Sequence, residues 1–261
     1  FVYDRREATG DLLFRHGERS ENEIELILGY LNPGDVVIEV GSHIGTEAVP
    51  IAKAIGPSGR LFCFEPQAAA FNILCANLAV NGATNAIPFR YAVGQSNGTI
   101  AIVPSDGNGA GFDGTFSLAH RPSEIRPLHP VPLFAEDRPD LMPMVRLDDA
   151  LSVNSLRLLK IDVEGLERSV LEGARGLVQR FKPIIYMEMN EPASGDDLIE
   201  FVRGLGYSLY WHVYGMPEVT FYGETPSEVR YKEVNALAIP VGSGIKPPSD
   251  LSEIDYFDEV Y

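Results

Sequence analysis

Short apolar segments alternate with amphipathic stretches along most of the chain from residue 35 onward. The apolar segments have the length and composition of buried strands, and they lie at 35–40, 60–65, 86–93, 156–162, 182–189, 207–213 and 235–241. Between them, apolar residues recur at three- and four-residue spacing, which predicts helices at 46–55, 68–80, 167–177 and 193–205. This alternation predicts an α/β fold with a mostly parallel sheet and helices on both faces.

Three regions depart from the alternation. Residues 1–33 predict an N-terminal extension, with a hairpin in the first 20 residues and an amphipathic helix at 21–31 that ends before Pro33. Residues 104–143 are rich in Gly and Pro and predict a long insertion, either over the mouth of an active site or as a disordered surface loop. Residues 246–261 form an acidic tail, so we expect one domain, 1–261, with its core at 34–245.

Composition narrows the classes of partner. Counting 21 Lys plus Arg against 37 Asp plus Glu gives a formal net charge of -16, which argues against a nucleic acid partner. No apolar run reaches the roughly 18 residues that span a bilayer, and no signal-peptide pattern is present, so we expect a cytoplasmic protein. Cys63 and Cys75 lie in apolar segments and are interpreted as free side chains, with a disulfide as the less favoured alternative.

The first predicted strand runs into a glycine-containing turn, "VVIEVGSHIGTEA", which contains Gly41 and Gly45. Glycines at a strand-to-helix turn let the backbone approach a ligand closely. A dinucleotide-binding G-x-G-x-x-G turn would need glycines at 43 and 46, where this chain has His43 and Thr46. The turn therefore favours a cofactor without a pyrophosphate, such as S-adenosylmethionine, over NAD(P).

Two acidic residues flank this turn. Glu39 lies two residues before Gly41, where a carboxylate can bind the cationic end of the cofactor directly or through water. Glu65 ends the second strand 24 residues after Gly41, where an acid can accept hydrogen bonds from both ribose hydroxyls. Either acid alone is more often structural, but together with the turn they predict a nucleoside-cofactor site.

Several ordered motifs then resemble those of FkbM-type methyltransferases. They are "GDVVIEVGSHIGTEAVPIA", "LFCFEPQAAAFNILCANLAVNG", "AVG", "VRLDDAL", "LLKIDVEGLERSVLEGA" and "KPIIYMEMNE", within residues 34–191. The resemblance implies a class I, Rossmann-like methyltransferase fold with seven strands, and methyl transfer from S-adenosylmethionine to oxygen on a sugar, glycan or natural product. It implies that the cofactor is bound by Glu39, Gly41, Ser42, His43, Gly45, Glu65, Pro66 and Asp162, with Ala92 and Val93 near the adenine. This chain has "GSHIG" where the family more often has "GANIG".

The fourth strand ends in "KIDVEG", which places Asp162 beside the turn of strand one, with Glu164 two residues later. Both residues could instead cap the following helix. If the acceptor is an alcohol, a general base must accept its proton, and the catalytic candidates are Asp162, Glu164 and Glu188. His43 and Glu191 are further candidates, although we favour a structural role for His43.

A metal is a less favoured alternative. Asp162, Glu188 and Asn190 offer oxygen ligands for Mg²⁺, but no spaced His or Cys set indicates zinc, so no metal site is assigned.

Further alternatives stay open. "YWHVYG", with Trp211, His212 and Tyr214, could stack on a sugar, but core packing is favoured. The competing functions are an NAD(P)-dependent Rossmann oxidoreductase and a non-catalytic nucleoside-binding module. We expect the acceptor to be a small molecule or carbohydrate, and the sequence leaves homo-oligomer formation open.

Overall fold

A computed structural model describes residues 1–5, 8–17, 19–102, 140–189, 192–215 and 232–257. Within those ranges the helices are α1 (Ala8–His16), α2 (Glu21–Leu28), α3 (Ala48–Ile55), α4 (Ala68–Val80), α5 (Leu147–Ala150), α6 (Glu167–Gly173), α7 (Arg175–Phe181) and α8 (Pro192–Gly204). The strands are β1 (Val36–Val40), β2 (Arg60–Phe64), β3 (Ala86–Phe89), β4 (Ala92–Val93), β5 (Gly98–Ile102), β6 (Asp140–Val145), β7 (Leu158–Ile161), β8 (Ile184–Glu188), β9 (Tyr207–Gly215) and β10 (Lys232–Pro240).

Seven of these strands form one sheet in the order β3-β2-β1-β7-β8-β10-β9. Strands β3, β2, β1, β7 and β8 are parallel to their neighbours, whereas β10 is antiparallel to both β8 and β9. This confirms the predicted seven-stranded, mostly parallel sheet. The strand order reverses between β1 and β7, and ligands of open α/β sheets bind outside the carboxyl ends of the strands at such a point.

The sheet buries both of its faces. Because successive side chains in a strand point to opposite faces, Val37 packs in the cluster formed with α2, α3 and α4, and Ile38 packs in the cluster formed with α6, α7 and α8. Leu158 and Leu159 of β7 divide in the same way. Burial on both faces explains why the strands read as continuous apolar runs and confirms that helices cover both sides.

The predicted strand at 86–93 is wrong, because it is two strands in two sheets. Strand β3 of the main sheet ends at Phe89, whose carbonyl accepts a hydrogen bond from the Glu65 amide. Val93 then pairs with Val145 of β6 in a second sheet of order β4-β6-β5. Residues 140–143, predicted as part of the insertion, belong to β6, and 104–139 lie outside the described residues.

The predicted helix at 167–177 is also wrong as a single element, because α6 ends at Gly173 and α7 begins at Arg175. A Cβ at Gly173 would lie 2.1 Å from the carbonyl oxygen of Gly94, so the β4 region approaches the helix here. The Asp148 carboxylate accepts hydrogen bonds from the amides of Gly176 and Leu177 at 2.8 and 2.9 Å. These bonds satisfy the first amides of α7 and start a new helix.

The predicted N-terminal hairpin is wrong, because residues 8–16 form helix α1. The Asn77 side-chain amide donates to the carbonyls of Val2 and Ile44 at 3.0 and 2.8 Å, which ties the chain start to the turn after β1. Leu13 of α1 packs in a small apolar cluster with Ile44 and Ala70. The N-terminal extension therefore lies against the predicted cofactor turn.

Residues 252–254 pair with part of β9, the strand at one edge of the main sheet. The Trp211 amide of β9 donates to the Ser252 carbonyl at 2.9 Å, and the Ile254 amide donates to the Leu209 carbonyl at 2.8 Å. The opposite edge strand, β3, contains Pro88, which has no amide hydrogen to donate.

Two smaller predictions can be compared with the structure. Cys63 and Cys75 are free, which confirms the favoured interpretation. No helix in the described part of the chain is long and apolar enough to cross a membrane.

Candidate active site

The turn after β1 is in direct contact with the end of β7. Gly41 has a φ of 87°, and a Cβ built on it would lie 1.7 Å from the carbonyl oxygen of Asp162. The Asp162 amide also donates to the Val40 carbonyl at 2.9 Å. Only glycine allows this approach, so the turn and the Asp162 backbone form one compact unit, as the sequence predicted.

The remaining residues of the turn are held by backbone hydrogen bonds. Gly45 has a φ of 89°, and its amide donates to the Ser42 carbonyl at 2.8 Å. Ser42 is buried, and its amide donates to the Phe64 carbonyl of β2 at 3.0 Å. These contacts fix the turn between β1 and β2, at the carboxyl edge of the sheet.

Glu65 lies at this turn. One carboxylate oxygen accepts a hydrogen bond from the His43 amide at 2.9 Å and the other from the Gln67 amide at 2.8 Å. Burial raises the pKa of Glu65 to about 7, although the two amides lower it. Each carboxylate oxygen keeps a second lone pair, so the carboxylate can still accept from ribose hydroxyls. Pro66 follows it and is partly buried.

His43 has a left-handed backbone, with a φ of 44°. Burial, and then the positive charge of Arg19, lower the pKa of its imidazole to about 4. The ring is therefore neutral near pH 7, and its role as a general base stays an untested alternative.

Glu39 is fully buried, and neither of its carboxylate oxygens has a hydrogen-bond partner among the described residues. Burial raises the pKa of Glu39 to about 8, although Lys160 lowers it. A buried carboxyl group in this state needs either a proton or a cation. The cationic end of S-adenosylmethionine meets that need, so the residues present fit the cofactor.

Ala92 and Val93 are almost fully buried and belong to different apolar clusters. Their position near the adenine stays a prediction.

Three carboxyl groups converge beside the turn. Asp162, Glu164 and Glu188 each have an oxygen within 4.8 Å of the other two. Burial, and then the charge of Asp162, raise the pKa of Glu164 to about 8, and they raise the pKa of Glu188 well above its usual range. The structure thus brings the three predicted catalytic residues together. Asn190 and Glu191 lie outside the described residues.

The alternative that Asp162 caps a helix is not supported. The residue before α6 is Leu166 and no described side chain makes a capping hydrogen bond to this helix, while the loop amides of Val163 and Gly165 donate to the Glu167 carboxylate at 3.3 and 3.1 Å. The side chain of Asp162 is 26% exposed and pairs instead with Lys160, at 3.2 Å.

Sequence reasoning missed a row of buried ionisable side chains beneath these acids. Glu39 of β1, Lys160 of β7 and Tyr186 of β8 are direct neighbours in strand register, and their side chains share the face that α2 and α3 cover. Lys160 is 1% exposed and contacts Glu23 of α2 at 3.3 Å. The available signal was a lysine within the apolar run "LRLLKI" and a glutamate four residues before the buried Ile27.

The segment before α2 adds a second part of this network. The hydroxyls of Ser20 and Thr46 donate to the Glu47 carboxylate at 2.6 and 2.8 Å, and Arg19 lies 3.5 Å from it. Burial would raise the pKa of Glu47, but Lys160, Arg19 and the two hydroxyls lower it to about 2. Arg19 also reaches Glu233 of β10 at 3.9 Å.

Trp211 of the β9 aromatic motif packs in the core, as favoured, whereas His212 and Tyr214 make polar contacts. Trp211 is 6% exposed and packs edge-on against Phe257, with 5.8 Å between ring centroids. His212 shares a 2.7 Å hydrogen bond with the Tyr186 hydroxyl, and the Tyr214 hydroxyl donates to Glu23 at 2.9 Å.

These features define a class I methyltransferase fold. The sheet has seven strands with one antiparallel strand, β10, next to its edge, and the glycine turn lies between two acids where the strand order reverses. A family model described as the methyltransferase FkbM domain matches residues 39–209, which is more than half of the chain. The chain therefore belongs to the FkbM methyltransferase family, and membership implies S-adenosylmethionine as the methyl donor. It also overturns the oxidoreductase alternative.

Solved structures agree on the fold. A SAM-dependent O-methyltransferase from Thermotoga maritima matches with a TM-score of 0.51 and 10% identity, over 92% of this chain and 73% of that one. A precorrin 8W decarboxylase from Methanobacterium thermoautotrophicum gives 0.51 and 12%, over 84% and 90%. At such low identity these matches show the fold alone.

A methyltransferase FkbM from Methylobacillus flagellatus matches with a TM-score of 0.48 and 17% identity, over 80% of this chain. The chain spans only 45% of that protein's length. No curated protein gives a significant match.

Proposed function

We propose that this protein transfers the methyl group of S-adenosylmethionine to a hydroxyl group of a sugar, glycan or natural product. The observation that carries the proposal is the cluster of Asp162, Glu164 and Glu188 beside the cofactor turn. Alcohols are poor nucleophiles until a base accepts their proton, so O-methylation needs such a group next to the methyl donor.

The bound cofactor supplies an electrophilic methyl group on a positively charged sulfur. Glu39 balances positive charge on the cofactor, and Glu65 accepts hydrogen bonds from its ribose. The fixed turn at Gly41 holds the cofactor beside Asp162, and alignment of the reacting atoms contributes much of the rate enhancement. Ser42, His43, Gly45 and Pro66 complete the proposed cofactor contacts, with Ala92 and Val93 near the adenine.

Asp162 is the proposed general base. Lys160 contacts its Oδ2 atom, which leaves Oδ1 to accept the hydroxyl proton. With the cofactor bound, the acceptor oxygen would take the methyl group as the bond between that methyl and sulfur breaks, and S-adenosylhomocysteine would leave. Its side chain is 26% exposed, so an acceptor can reach it, whereas Glu188 is 7% exposed. The raised pKa values of Glu164 and Glu188 suit groups that donate hydrogen bonds to an acceptor oxygen.

Asp162→Asn tests this assignment. Transfer of labelled methyl to a panel of sugars, glycans and hydroxylated natural products should fall about 10²–10⁴-fold, because a positioned general base contributes that much. Because Asp162 is also a predicted cofactor contact, the rates are compared at saturating S-adenosylmethionine, and the affinity for S-adenosylhomocysteine is measured separately. Glu172→Gln, which removes a carboxylate from a surface pair with Arg168, is the matched control. A normal rate in Asp162→Asn would exclude Asp162 as the base. If the wild-type protein binds the cofactor tightly but transfers methyl to no acceptor in the panel, a non-catalytic module is favoured.

The same three carboxylates are oxygen ligands of the kind that Mg²⁺ prefers. The proposal is a metal-independent reaction, and the same assay with a strong chelator tests it. Activity lost to the chelator and restored by Mg²⁺ would assign the cluster to a cation instead.

We further propose a small-molecule or carbohydrate acceptor rather than nucleic acid, because the net charge of -16 repels phosphates. A cytoplasmic location and a homo-oligomeric state are the remaining parts of the proposal. Size-exclusion chromatography with light scattering tests the second.

A further inference from the structure

Lys160 occupies an unusual position for a lysine. Its neighbours in β7 are apolar and the whole strand is buried, and the lysine side chain is itself only 1% exposed. Its ammonium group lies 3.3 Å from Glu23 Oε1 and 3.2 Å from Asp162 Oδ2. Burying an ammonium group is costly unless it is paired, so these two contacts are what allow a lysine here.

The contacts continue to the edge of the sheet. Glu23 lies on α2, and its second oxygen accepts a hydrogen bond from the Tyr214 hydroxyl of β9 at 2.9 Å. Tyr214, Glu23, Lys160 and Asp162 thus form one connected chain of polar groups. The Glu23 and Lys160 side chains are buried, at 4% and 1% exposed, so the chain has few alternative arrangements.

We propose that Lys160 is a positioning residue that holds the Asp162 carboxylate in one orientation, and that Glu23 makes helix α2 part of the active site. The inference rests on the proposed function in so far as Asp162 is the base. Lys160 donates to Oδ2 and thereby directs Oδ1, the proton-accepting atom, toward the acceptor. Glu23 keeps the ammonium group from moving away from Asp162.

The charges around Lys160 support this role. The carboxyl groups that face it come from α2, the turn before α3, the end of β7 and β1, namely Glu23, Glu47, Asp162 and Glu39. Burial would lower the pKa of Lys160, but these carboxyl groups raise it well above its usual range. The ammonium group is therefore a permanent donor to Asp162.

Lys160→Met tests the proposal, because methionine keeps the length of the side chain and removes the charge. Residues that orient metal ligands through hydrogen bonds typically contribute 10–100-fold to activity, and by analogy kcat should fall by about that factor while the KM for S-adenosylmethionine changes less than about threefold. Arg157→Met is the matched control. Arg157 immediately precedes β7, at the opposite end of the strand from Asp162, and donates to the Tyr30 carbonyl at 2.8 Å, so its substitution removes a cation and a hydrogen bond beside the same strand and should leave kcat unchanged.

A double-mutant cycle separates positioning from a merely structural role. If Lys160 acts through Asp162, Lys160→Met should change the residual rate of Asp162→Asn by less than about threefold. If Lys160 only stabilises the fold, its effect should multiply with that of Asp162→Asn, and the proposal is overturned. Should Lys160→Met fail to fold, Lys160→Met combined with Glu23→Gln removes both buried charges and takes its place in the cycle.

A crystal structure of the variant with S-adenosylhomocysteine gives a readout that does not depend on the acceptor. The proposal expects the Asp162 carboxylate to rotate or to occupy two conformers in the variant and one in the wild type. An unchanged carboxylate would overturn the proposal even if Asp162 is the base. Conversely, a normal rate in Asp162→Asn with a displaced carboxylate in Lys160→Met would refute the base assignment and keep the positioning role.

Discussion

The buried carboxyl group of Glu39 makes cofactor binding depend on pH in a defined direction. In the free protein, burial raises the pKa of Glu39 to about 8, so the group holds a proton at neutral pH. The ammonium group of the cofactor favours the ionised carboxylate. Binding should therefore release a proton from Glu39 and become tighter as the pH rises.

The size of the effect follows from this pKa. At pH 7 a group with a pKa of about 8 is roughly nine-tenths protonated, so binding should release about 0.9 proton from Glu39. The association constant should then rise about tenfold between pH 6 and pH 7, and the rise should stop near pH 8, above which the ammonium group of the ligand itself loses its proton. Glu65, whose pKa is raised to about 7, titrates in the same window, so the contribution of Glu39 is the difference between the wild type and Glu39→Gln.

Calorimetric titration with S-adenosylhomocysteine, which has the same ammonium group but does not react, measures both quantities. Titrations at pH 6, 7, 8 and 9 in buffers of different ionisation enthalpy give the affinity and the number of protons released. Glu39→Gln should lower the proton release by about 0.9 at pH 7. Glu172→Gln is the control, because it removes a carboxylate that forms a surface pair with Arg168. Equal proton release in the wild type and Glu39→Gln would refute the reasoning, because Glu39 would then not respond to the cofactor.

Two further predictions concern stability. Gly41→Ala should abolish S-adenosylhomocysteine binding and lower the free energy of unfolding by more than about 2 kcal/mol, since a left-handed backbone alone disfavours alanine by roughly 1–2 kcal/mol and the added Cβ meets the Asp162 carbonyl. Gly82→Ala, with a φ of 68° and open space around the added atom, should show only the backbone effect in the same denaturation assay. Because the folded pKa of Glu47 lies below its unfolded value, its contribution of about 3 kcal/mol is complete above pH 4.5 and is lost as the pH falls toward 2. Denaturant titrations between pH 2 and 7 should show this loss in the wild type and a smaller one in Glu47→Gln; parallel curves would contradict it.

The sequence predicts the central sheet well because its strands are buried on both faces. Segments such as 35–40 and 60–65 are therefore nearly continuous apolar runs, which are recognised directly as strands. The helix predicted at 68–80 has the observed bounds. The errors arise where a tertiary contact decides the structure. The break after Phe89 depends on pairing with Val145, more than 50 residues away, and the break at Ala174 depends on the Asp148 carboxylate.

The residues of the candidate site also fall into those that the sequence predicts and those that depend on tertiary contacts. Asp162, Glu164 and Glu188 were predicted because each follows or ends a strand at the carboxyl edge. Lys160 and Glu23 were not, because a charged residue inside an apolar strand or helix face is visible only as an exception to the pattern. The charged partner of each residue comes from a distant element, and no spacing rule in the sequence relates Glu23 to Lys160.

The pairing of residues 252–254 with β9 has a consequence for work with shortened or fused forms of the chain. An uncovered edge strand offers its amides and carbonyls to any other extended peptide, and such edges promote aggregation. A form that ends before Leu251 would expose the backbone of Leu209 and Trp211, so it should be handled at low concentration and checked for self-association. Affinity tags are better placed where they do not compete for this strand.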